Sequence, residues 1–455
     1  MRERGQVDAH KEIPVDFVGA LVFLALIERD AMRYDSALRY YPLKRIEEIE
    51  KADLVVGIPC FNSERTIRHV IQMVTHGLHR HYRDLRSVLY IADGGSTDDT
   101  REVAKEFEIK PWQEKIVAIY RGPAGKGTAF RSIFEAVRHL GAKACAVVDS
   151  DLRSITSDWL RYLLEPVLVH GFEYVSPIYA RHKYDGTITN NIVYNLTRAL
   201  YGKRIRQPIG GEFAFDGGLA HFFLEQDVWD TDVARYGIDI WMTTNAITQG
   251  RKICQARLGV KIHDAKDPSA SLGPMFRQVI GTLFSLMEQN VDHWKPVRGS
   301  VSVPTFGPES FPEPEPVEVN QAKLIREFRI GLDHYGVLWQ KVFCRECYEA
   351  IEGWARQEPD RIIVPVEIWA KMLYELAVAF HRWKANRETL ISMMVPLYFA
   401  RVASFVNQSR HMDSKAAEEL VEEQALVFEQ SKDYLVRLWE KAEAAWGQER
   451  LEGVA

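Results

Sequence analysis

Two acidic side chains, Asp149 and Asp151, close an apolar run that reads AVVDSD. In an extended strand, residues two apart share a face, and Ser150 between them points the other way. Two carboxylates at the carboxyl end of a parallel strand suit a hard divalent cation that carries a phosphate ligand. The pair alone also fits a capping role before the next helix. The surrounding segments therefore decide its interpretation.

Three other segments combine residues that turn the backbone sharply and expose amides to anions. They are IPCFNSERT at 58–66, ADGGSTDDT at 92–100 and RGPAGKGTAF at 121–130. Lys126, between Gly125 and Gly127, is a point charge suited to a diphosphate. Each loop by itself is ordinary turn chemistry. We expect all four to leave the same edge of a sheet, where open α/β folds bind ligands.

Short β-rich runs precede these loops. They are LVVGI at 54–58, SVLYIA at 87–92, KIVAIY at 115–120 and KACAVVDS at 143–150. Their starts lie roughly thirty residues apart, which is the spacing of strand–helix–strand units. Apolar residues at helical spacing lie between them, at 66–74 and 100–107. The sequence therefore predicts an α/β, Rossmann-like domain with a mostly parallel sheet.

Composition divides the chain further. We expect a helical N-terminal extension over 1–50, the α/β domain over 51–297, a proline-rich linker over 298–319 and an all-helical C-terminal domain over 320–455. Within the last, helices are predicted at 366–384, 388–406 and 415–446, and Pro396 should kink the helix that contains it.

The overall composition is that of a soluble globular protein, with 455 residues, 46% hydrophobic and 27% charged. A formal net charge of -5 excludes a broad basic field, so nucleic acid is not expected as a partner. The apolar run at 17–27 is shorter than the about twenty residues of a membrane span and predicts a docked helix. Five scattered cysteines do not form a disulfide framework and fit a reducing cytoplasm. We therefore expect no membrane span and a cytoplasmic location.

Cys344 and Cys347 form a lone Cys-x-x-Cys within a helical pattern, FCRECYEAI. A zinc site would need a second ligand pair at suitable spacing, and the sequence offers none. We interpret the two residues as thiols on a helix face.

Together the motifs resemble glycosyltransferases of the GT-A fold, of the family 2 type, over about residues 52–290. Within that group, the chain is similar to the retaining enzymes that make glucosyl-3-phosphoglycerate, glucosylglycerate and mannosylglycerate. The matching segments are PCFNSE, DGGSTDDT, GKGTA, VDSD, QPIGGEF (207–213), YGIDI (236–240) and LGVKIHDAKDP (258–268).

The resemblance implies the residues that bind the nucleotide sugar, which are Pro59, Asn62, Glu64, Asp93, Ser96, Lys126, Asp149, Ser150, Gly210 and Gly211. Ser63 stands where many relatives carry Glu, so the ribose contact either moves to Glu64 or is lost. The resemblance also implies a metal site of Asp149, Asp151 and His263. One imidazole with carboxylates suits Mg²⁺ or Mn²⁺, and also Co²⁺.

Three residues are expected to act in catalysis: Lys126 on the diphosphate, Glu212 beneath the sugar, and Asp239 on sugar or acceptor hydroxyls. Asp239 also fits a helix cap. No carboxylate nucleophile is evident, so a front-face displacement with retention is favoured. The resemblance assigns the acceptor to Arg181, Asp185, Thr189 and Asp239. The 3-phosphoglycerate enzymes carry Arg where Thr187 stands and Asn where Ala265 stands, which favours an acceptor without a phosphate.

These implications converge on transfer of glucose from GDP-glucose to D-glycerate, giving glucosylglycerate as a compatible solute. UDP-glucose and GDP-mannose remain alternative donors, and 3-phosphoglycerate remains the alternative acceptor. The helical C-terminal domain either closes over the acceptor side or pairs subunits into a homodimer. Two other classes stay open. One is a non-catalytic nucleotide-sugar-binding protein, and the other is a membrane-surface transferase, although no basic amphipathic anchor is evident.

Overall fold

The computed structural model describes residues 35–262, 268–309, 312–383 and 385–452, without the side chains of 268–272 and 446–452. The predicted helix at 17–27 and the predicted metal ligand His263 lie outside the described residues. At the centre is an eight-stranded sheet with the order β10-β8-β5-β7-β4-β1-β2-β3. Its neighbours pair in parallel except around β7, which is antiparallel to both β4 and β5. The predicted mostly parallel sheet is confirmed.

The strands are β1 Leu54–Cys60, β2 Ser87–Asp93, β3 Glu114–Ile119, β4 Ala144–Val147, β5 Tyr174–Ala180, β6 Lys203–Arg204, β7 Phe213–Asp216, β8 Ile253–Val260, β9 Val301–Ser302 and β10 Thr305–Phe306. The short strands β6 and β9 form a separate parallel pair.

The α-helices are α1 Tyr40–Ile49, α2 Ile67–His81, α3 Thr100–Glu106, α4 Lys126–Leu140, α5 Asp158–Leu168, α6 Tyr194–Tyr201, α7 Gly217–Leu224, α8 Ile238–Thr248, α9 Pro268–Gln289, α10 Val291–Trp294, α11 Gln321–Val342, α12 Arg345–Ala355, α13 Val366–Arg382, α14 Arg387–Ser409 and α15 Ser414–Glu452. A π-helix covers Thr189–Val193 and a 3₁₀ helix covers Asp232–Ala234.

Helices cover both faces of the sheet, which is why β1 and β2 are buried along their whole length. On one face, apolar residues of α2 and α5 pack on the strands, among them Val70, Val74 and Leu163. On the other face lies α4, through Ile133 and Phe134. The core on that second face continues into the C-terminal helices without a break.

Two details differ from the sequence-based expectation. β4 ends at Val147, so Asp149 and Asp151 lie in the turn after the strand rather than on a shared strand face.

The proline-rich segment is also more than a connector. Its residues Thr305 and Phe306 form the edge strand β10 beside β8, and Gln255 N–H donates to the Pro304 carbonyl at 2.8 Å.

The C-terminal helices predicted from the sequence are present, and they pack on the α/β part. Trp369 Nε1 donates to the Asn191 carbonyl at 2.8 Å, and Arg198 pairs with Glu422 and Glu429 across α6 and α15. Among the described residues, one helix, α14, is long and apolar enough to cross a membrane. The protein itself buries 78% of its apolar window, as is typical of a core helix.

Gly331 on α11 provides a test of this packing. A Cβ added there would lie 2.2 Å from Cβ of Pro396, inside α14. We predict that Gly331→Ala lowers the free energy of unfolding by about 1–3 kcal/mol, because the clash exceeds the gain in helix propensity. Urea denaturation measures the effect. At Gly353 on α12, no atom lies within 4 Å of the added Cβ, so Gly353→Ala should raise stability by up to about 1 kcal/mol. Equal effects at the two positions would contradict the packing.

Candidate active site

The predicted loops meet at the carboxyl ends of β1, β2 and β4, which we call the carboxyl edge. Lys126 is the first residue of α4, and Gly125 precedes it at the N-cap. A Cβ on Gly127 would lie 1.8 Å from the Val233 carbonyl oxygen, so α4 begins against the 3₁₀ helix. This close approach fixes the position from which the Lys126 side chain enters the edge.

Lys126 connects the two carboxylates on which the predicted chemistry depends. Its Nζ lies 2.9 Å from Asp149 Oδ1 and 3.4 Å from Asp239 Oδ1. It also donates to the Gly211 carbonyl at 3.3 Å. Asp239 is in the first turn of α8, where Gly237 is the N-cap, so its carboxylate faces the site and does not cap the helix. The structure therefore brings Lys126, Asp149 and Asp239 together as predicted.

A second lysine, Lys261, reaches the same carboxylate, and the sequence analysis missed it. Its Nζ lies 3.4 Å from Asp149 Oδ2 and 2.8 Å from Glu212 Oε2, and it donates to the Gly210 carbonyl at 2.9 Å. Lys261 follows β8, two residues before His263, within the quoted segment LGVKIHDAKDP. Its position two residues before the predicted metal ligand is the only feature of the sequence that indicated this lysine.

Glu212, predicted as a catalytic residue, is a buried partner of Lys261. Its side chain is 0% exposed. Both carboxylate oxygens accept from Lys261, one also accepts from the Tyr179 hydroxyl, and the other accepts from the Asp149 backbone N–H at 3.4 Å. These contacts hold Lys261 and the turn at Asp149 in position, and a catalytic role for Glu212 stays a prediction.

Burial and charge shift the pKa values of this cluster in opposite directions. Burial raises the pKa of Asp149, but the ammonium groups of Lys126 and Lys261 outweigh it and hold that pKa well below its usual range. Burial raises the pKa of Asp239 and raises that of Glu212 to about 7. Burial lowers the pKa of Lys126, and Asp149, Asp239 and Glu212 together raise it above its ordinary value. Asp149 and Lys126 are thus firmly ionised.

Two glycines form the surface beneath this cluster. Gly211 has φ +101°, and a Cβ there would lie 2.4 Å from Asp149 Oδ2 and 2.9 Å from Lys261 Nζ. A Cβ on Gly210 would lie 2.2 Å from Cγ of Pro177. The backbone at Gly211 therefore lies too close to Asp149 and Lys261 for a side chain, and contact of Gly210 and Gly211 with the nucleotide sugar stays a prediction.

The loop after β2 is ordered by Asp93, whose side chain is 0% exposed. Its carboxylate accepts from the backbone N–H groups of Gly95 and Ser96 and from the Ser96 hydroxyl, and Arg101 Nε lies 3.6 Å away. Ser96 Oγ in turn accepts from the Asn62 N–H at 2.9 Å. Asp93 and Ser96 therefore shape the predicted nucleoside loop, and contact with the nucleoside stays a prediction.

The loop after β1 joins the turn at Asp149. Ser63 and Ser150 share a hydroxyl hydrogen bond of 2.8 Å, so Ser150 faces inward, opposite to Asp149. The exposed Asn62 accepts from Thr97 N–H at 2.9 Å, and the exposed Glu64 accepts from Asp99 N–H at 3.3 Å. Pro59 is buried within β1. The predicted nucleotide-binding residues thus lie along two adjoining loops.

The donor chemistry at the turn suits a hard metal. Asp149 and Asp151 are both partly exposed carboxylates, and carboxylate oxygens are the ligands that Mg²⁺ and Mn²⁺ prefer. When Asp149, Glu212, Asp239, Lys126 and Lys261 are all ionised, they leave one net negative charge before Asp151 is counted. The electrostatics therefore favour a cation here.

Comparison with known proteins shows which family the segment with β1 to β4 resembles. Residues 55–228 match the family model described as glycosyl transferase family 2. Over these residues the chain is similar to family 2 glycosyltransferases. The prediction from the motifs is confirmed, and the chain carries the fold of a glycosyltransferase. No curated protein matches the sequence.

Solved structures of glucosyl-3-phosphoglycerate synthase from Mycobacterium tuberculosis are similar to part of the chain. The complex with Mg²⁺ and UDP is 25% identical, with a TM-score of 0.41, over 53% of this chain and 83% of that chain. The complex with Mn²⁺, UDP-glucose and phosphoglyceric acid is 26% identical, with a TM-score of 0.41, over 53% and 84%. The complex with UDP alone is 26% identical, with a TM-score of 0.42, over 53% and 84%.

The predicted acceptor residues lie beside the glycine surface of the glycosyltransferase domain. Arg181 is 3.5 Å from Asp185 and donates to the Gly210 carbonyl at 3.5 Å. Its guanidinium lies over the Tyr179 ring, and its buried Nε has no hydrogen-bond partner among the described residues. Thr189, buried, begins the π-helix. Arg181 and Asp185 thus lie next to Gly210, whose carbonyl also accepts from Lys261.

A double-mutant cycle in the full-length chain tests the buried pair of Lys261 and Glu212. We predict that Lys261→Met costs about 3–5 kcal/mol of unfolding free energy, because it leaves Glu212 buried without its cation. Adding Glu212→Gln should recover part of that loss, with a coupling of about 0.5–3 kcal/mol measured by urea denaturation. The exposed pair Arg161–Glu165 is the control, and solvent screening should make its coupling much weaker. Strictly additive losses at Lys261 and Glu212 would contradict their pairing.

Proposed function

We propose that the chain is a metal-dependent, retaining hexosyltransferase of the cytoplasm that moves glucose from a nucleotide diphosphate sugar to D-glycerate. The observation that carries this proposal is the position of Lys126. Its ammonium lies between Asp149 and Asp239, at 2.9 and 3.4 Å, at the carboxyl edge of a family 2 glycosyltransferase domain. A preorganised charge there stabilises a departing diphosphate.

The departing group develops negative charge as the bond between sugar and phosphate breaks. Lys126 and the nearby Lys261 supply fixed positive charge on that side. Asp149 and Asp151, with the predicted ligand His263, would hold Mg²⁺ or Mn²⁺, which would neutralise diphosphate oxygens as a Lewis acid. Glu212 keeps Lys261 oriented, as its contacts imply.

The sugar would lie between Asp239 and the glycine surface. Asp239 Oδ1 is buried and lies 3.4 Å from Lys126 Nζ, but it accepts no hydrogen bond among the described residues, so it keeps a lone pair for a sugar or acceptor hydroxyl. Gly210 and Gly211 present backbone beneath it without side chains. In the proposed front-face displacement, the acceptor hydroxyl would attack from the face that the diphosphate leaves, with retention.

The acceptor site favours a carboxylate without a phosphate. Arg181, with one unpartnered N–H, suits the carboxylate of D-glycerate. Thr187 stands where the 3-phosphoglycerate enzymes carry Arg, and its hydroxyl is bonded to the Tyr398 hydroxyl at 2.5 Å. Tyr398 comes from α14 and packs on Phe276. No cation therefore stands at this position to hold a phosphate.

For the donor, GDP-glucose is the proposed substrate, and UDP-glucose and GDP-mannose are the competing ones. A non-catalytic nucleotide-sugar-binding protein is the second candidate, and it is disfavoured by the retention of Lys126, Asp149 and Asp239 in one cluster.

A matrix of donors and acceptors, read by mass spectrometry with Mn²⁺ and Mg²⁺, tests the proposal. We predict a hexosylglycerate product that is lost in Asp151→Ala, and a higher kcat/KM for D-glycerate than for 3-phosphoglycerate. Thr187→Arg should raise the relative use of 3-phosphoglycerate at least about tenfold, because it adds a charge-assisted contact to phosphate.

Each alternative gives a distinct result in the same matrix. Preference of the wild type for 3-phosphoglycerate would overturn the acceptor assignment. Binding of nucleotide without product in any well would favour the non-catalytic protein. Isolation of a covalent glycosyl-enzyme would contradict the front-face displacement.

A further inference from the structure

The Cys-x-x-Cys that the sequence analysis set aside acquires a third donor in the fold. Cys344 and Cys347 lie at the start of α12, and Glu375 comes from the middle of α13. One ligand atom from each of the three residues lies within 4.8 Å of the other two. This third donor is supplied by a different helix, which spacing along the chain could not show.

The Glu375 carboxylate is held in place by contacts from two other elements. Its Oε2 accepts from the Cys344 N–H at 3.0 Å, and its Oε1 accepts from the hydroxyl of Tyr434 on α15. Side-chain contacts of this kind orient carboxylate ligands and restrict them to one geometry. Each carboxylate oxygen keeps a further lone pair for a metal.

The Cys344 sulfur lies in surroundings that favour a thiolate. Cys344 is the N-cap of α12, where backbone N–H groups favour negative charge. The Lys371 side chain contacts Cys344 and lies over the Tyr434 ring. Cys347 is 0% exposed and Glu375 is 6% exposed, so two of the three donors are shielded from water.

One side of the cluster is open. Cys344, Glu375 and Tyr434 line a cavity of about 690 Å³ together with residues of α11, α13 and α15. When zinc has three protein donors and its fourth coordination position faces a cavity, it can keep a water or an exogenous ligand there.

We propose that Cys344, Cys347 and Glu375 bind one Zn²⁺ ion, with the fourth position facing this cavity. Two thiolates and a carboxylate select a softer ion than the oxygen donors at Asp149 and Asp151 do. The ion joins α12 to α13 beside α15, in the helical part of the chain. The proposal is independent of the transferase reaction, because none of these residues belongs to the carboxyl edge.

Titration of the metal-free full-length protein with Co²⁺ tests the site. Thiolate ligation gives an intense near-ultraviolet charge-transfer band, which oxygen ligands do not produce. We predict that the band saturates at one equivalent and that Zn²⁺ abolishes it. Cys347→Ser should lower the band by about half or more, because one of the two thiolate ligands is lost, and Glu375→Gln should weaken Co²⁺ binding at least about tenfold.

Two controls separate this site from other thiols and from the carboxyl edge. Cys254→Ser, in β8, should leave the band intact, and so should Asp151→Asn. Circular dichroism checks that each variant is folded. If a variant does not fold, the titration of the wild-type protein alone still tests the site. Absence of the band in the wild type, an undiminished band in Cys347→Ser, or isolation of Cys344 and Cys347 as a disulfide under reducing conditions would overturn the proposal.

Discussion

The carboxylate of Asp149 is shared between two buried lysines, and the site depends on this interaction. Lys126 approaches from the start of α4 and Lys261 from the end of β8, at 2.9 and 3.4 Å. Each lysine needs a second acid, and Asp239 and Glu212 provide them. Because a buried ammonium without a partner is costly, the four elements that carry these residues must keep their relative positions. Gly211 is required for the same reason, since any side chain there would separate Asp149 from Lys261.

The sequence was sufficient for the parts of the fold and site that depend on local patterns. Apolar runs marked β1 to β4, and the residues after them marked the edge that holds Lys126 and Asp149. Asp239 was predicted because its segment resembles a known motif. Lys261 and the buried role of Glu212 could not be predicted, since a pair separated by 49 positions along the chain leaves no periodic signal. The strand β10 was missed because prolines beside it indicate a linker.

The helical segment is connected to the acceptor side of the glycosyltransferase domain by polar contacts as well as by packing. Tyr398 holds Thr187, and Lys183 donates to carbonyls at the end of α14. Arg206 pairs with Glu418 of α15. The loop that carries Arg181 and Asp185 is therefore supported by residues more than two hundred positions away. If Arg181 and Asp185 bind the acceptor as proposed, this arrangement connects acceptor choice to the C-terminal helices, and a Zn²⁺ ion at Cys344 would stabilise that same part of the chain.

The most direct test of this account is to measure two affinities by isothermal titration calorimetry in the wild type and in Lys126→Met. The first is that of Mn²⁺ alone, and the second is that of GDP or UDP in the presence of Mg²⁺. If Lys126 both competes for Asp149 and neutralises diphosphate, the substitution moves the affinities in opposite directions. Mn²⁺ should bind more tightly, and the nucleotide should bind at least about tenfold more weakly. A parallel fall in both affinities, or no change in either, would contradict the shared-carboxylate account.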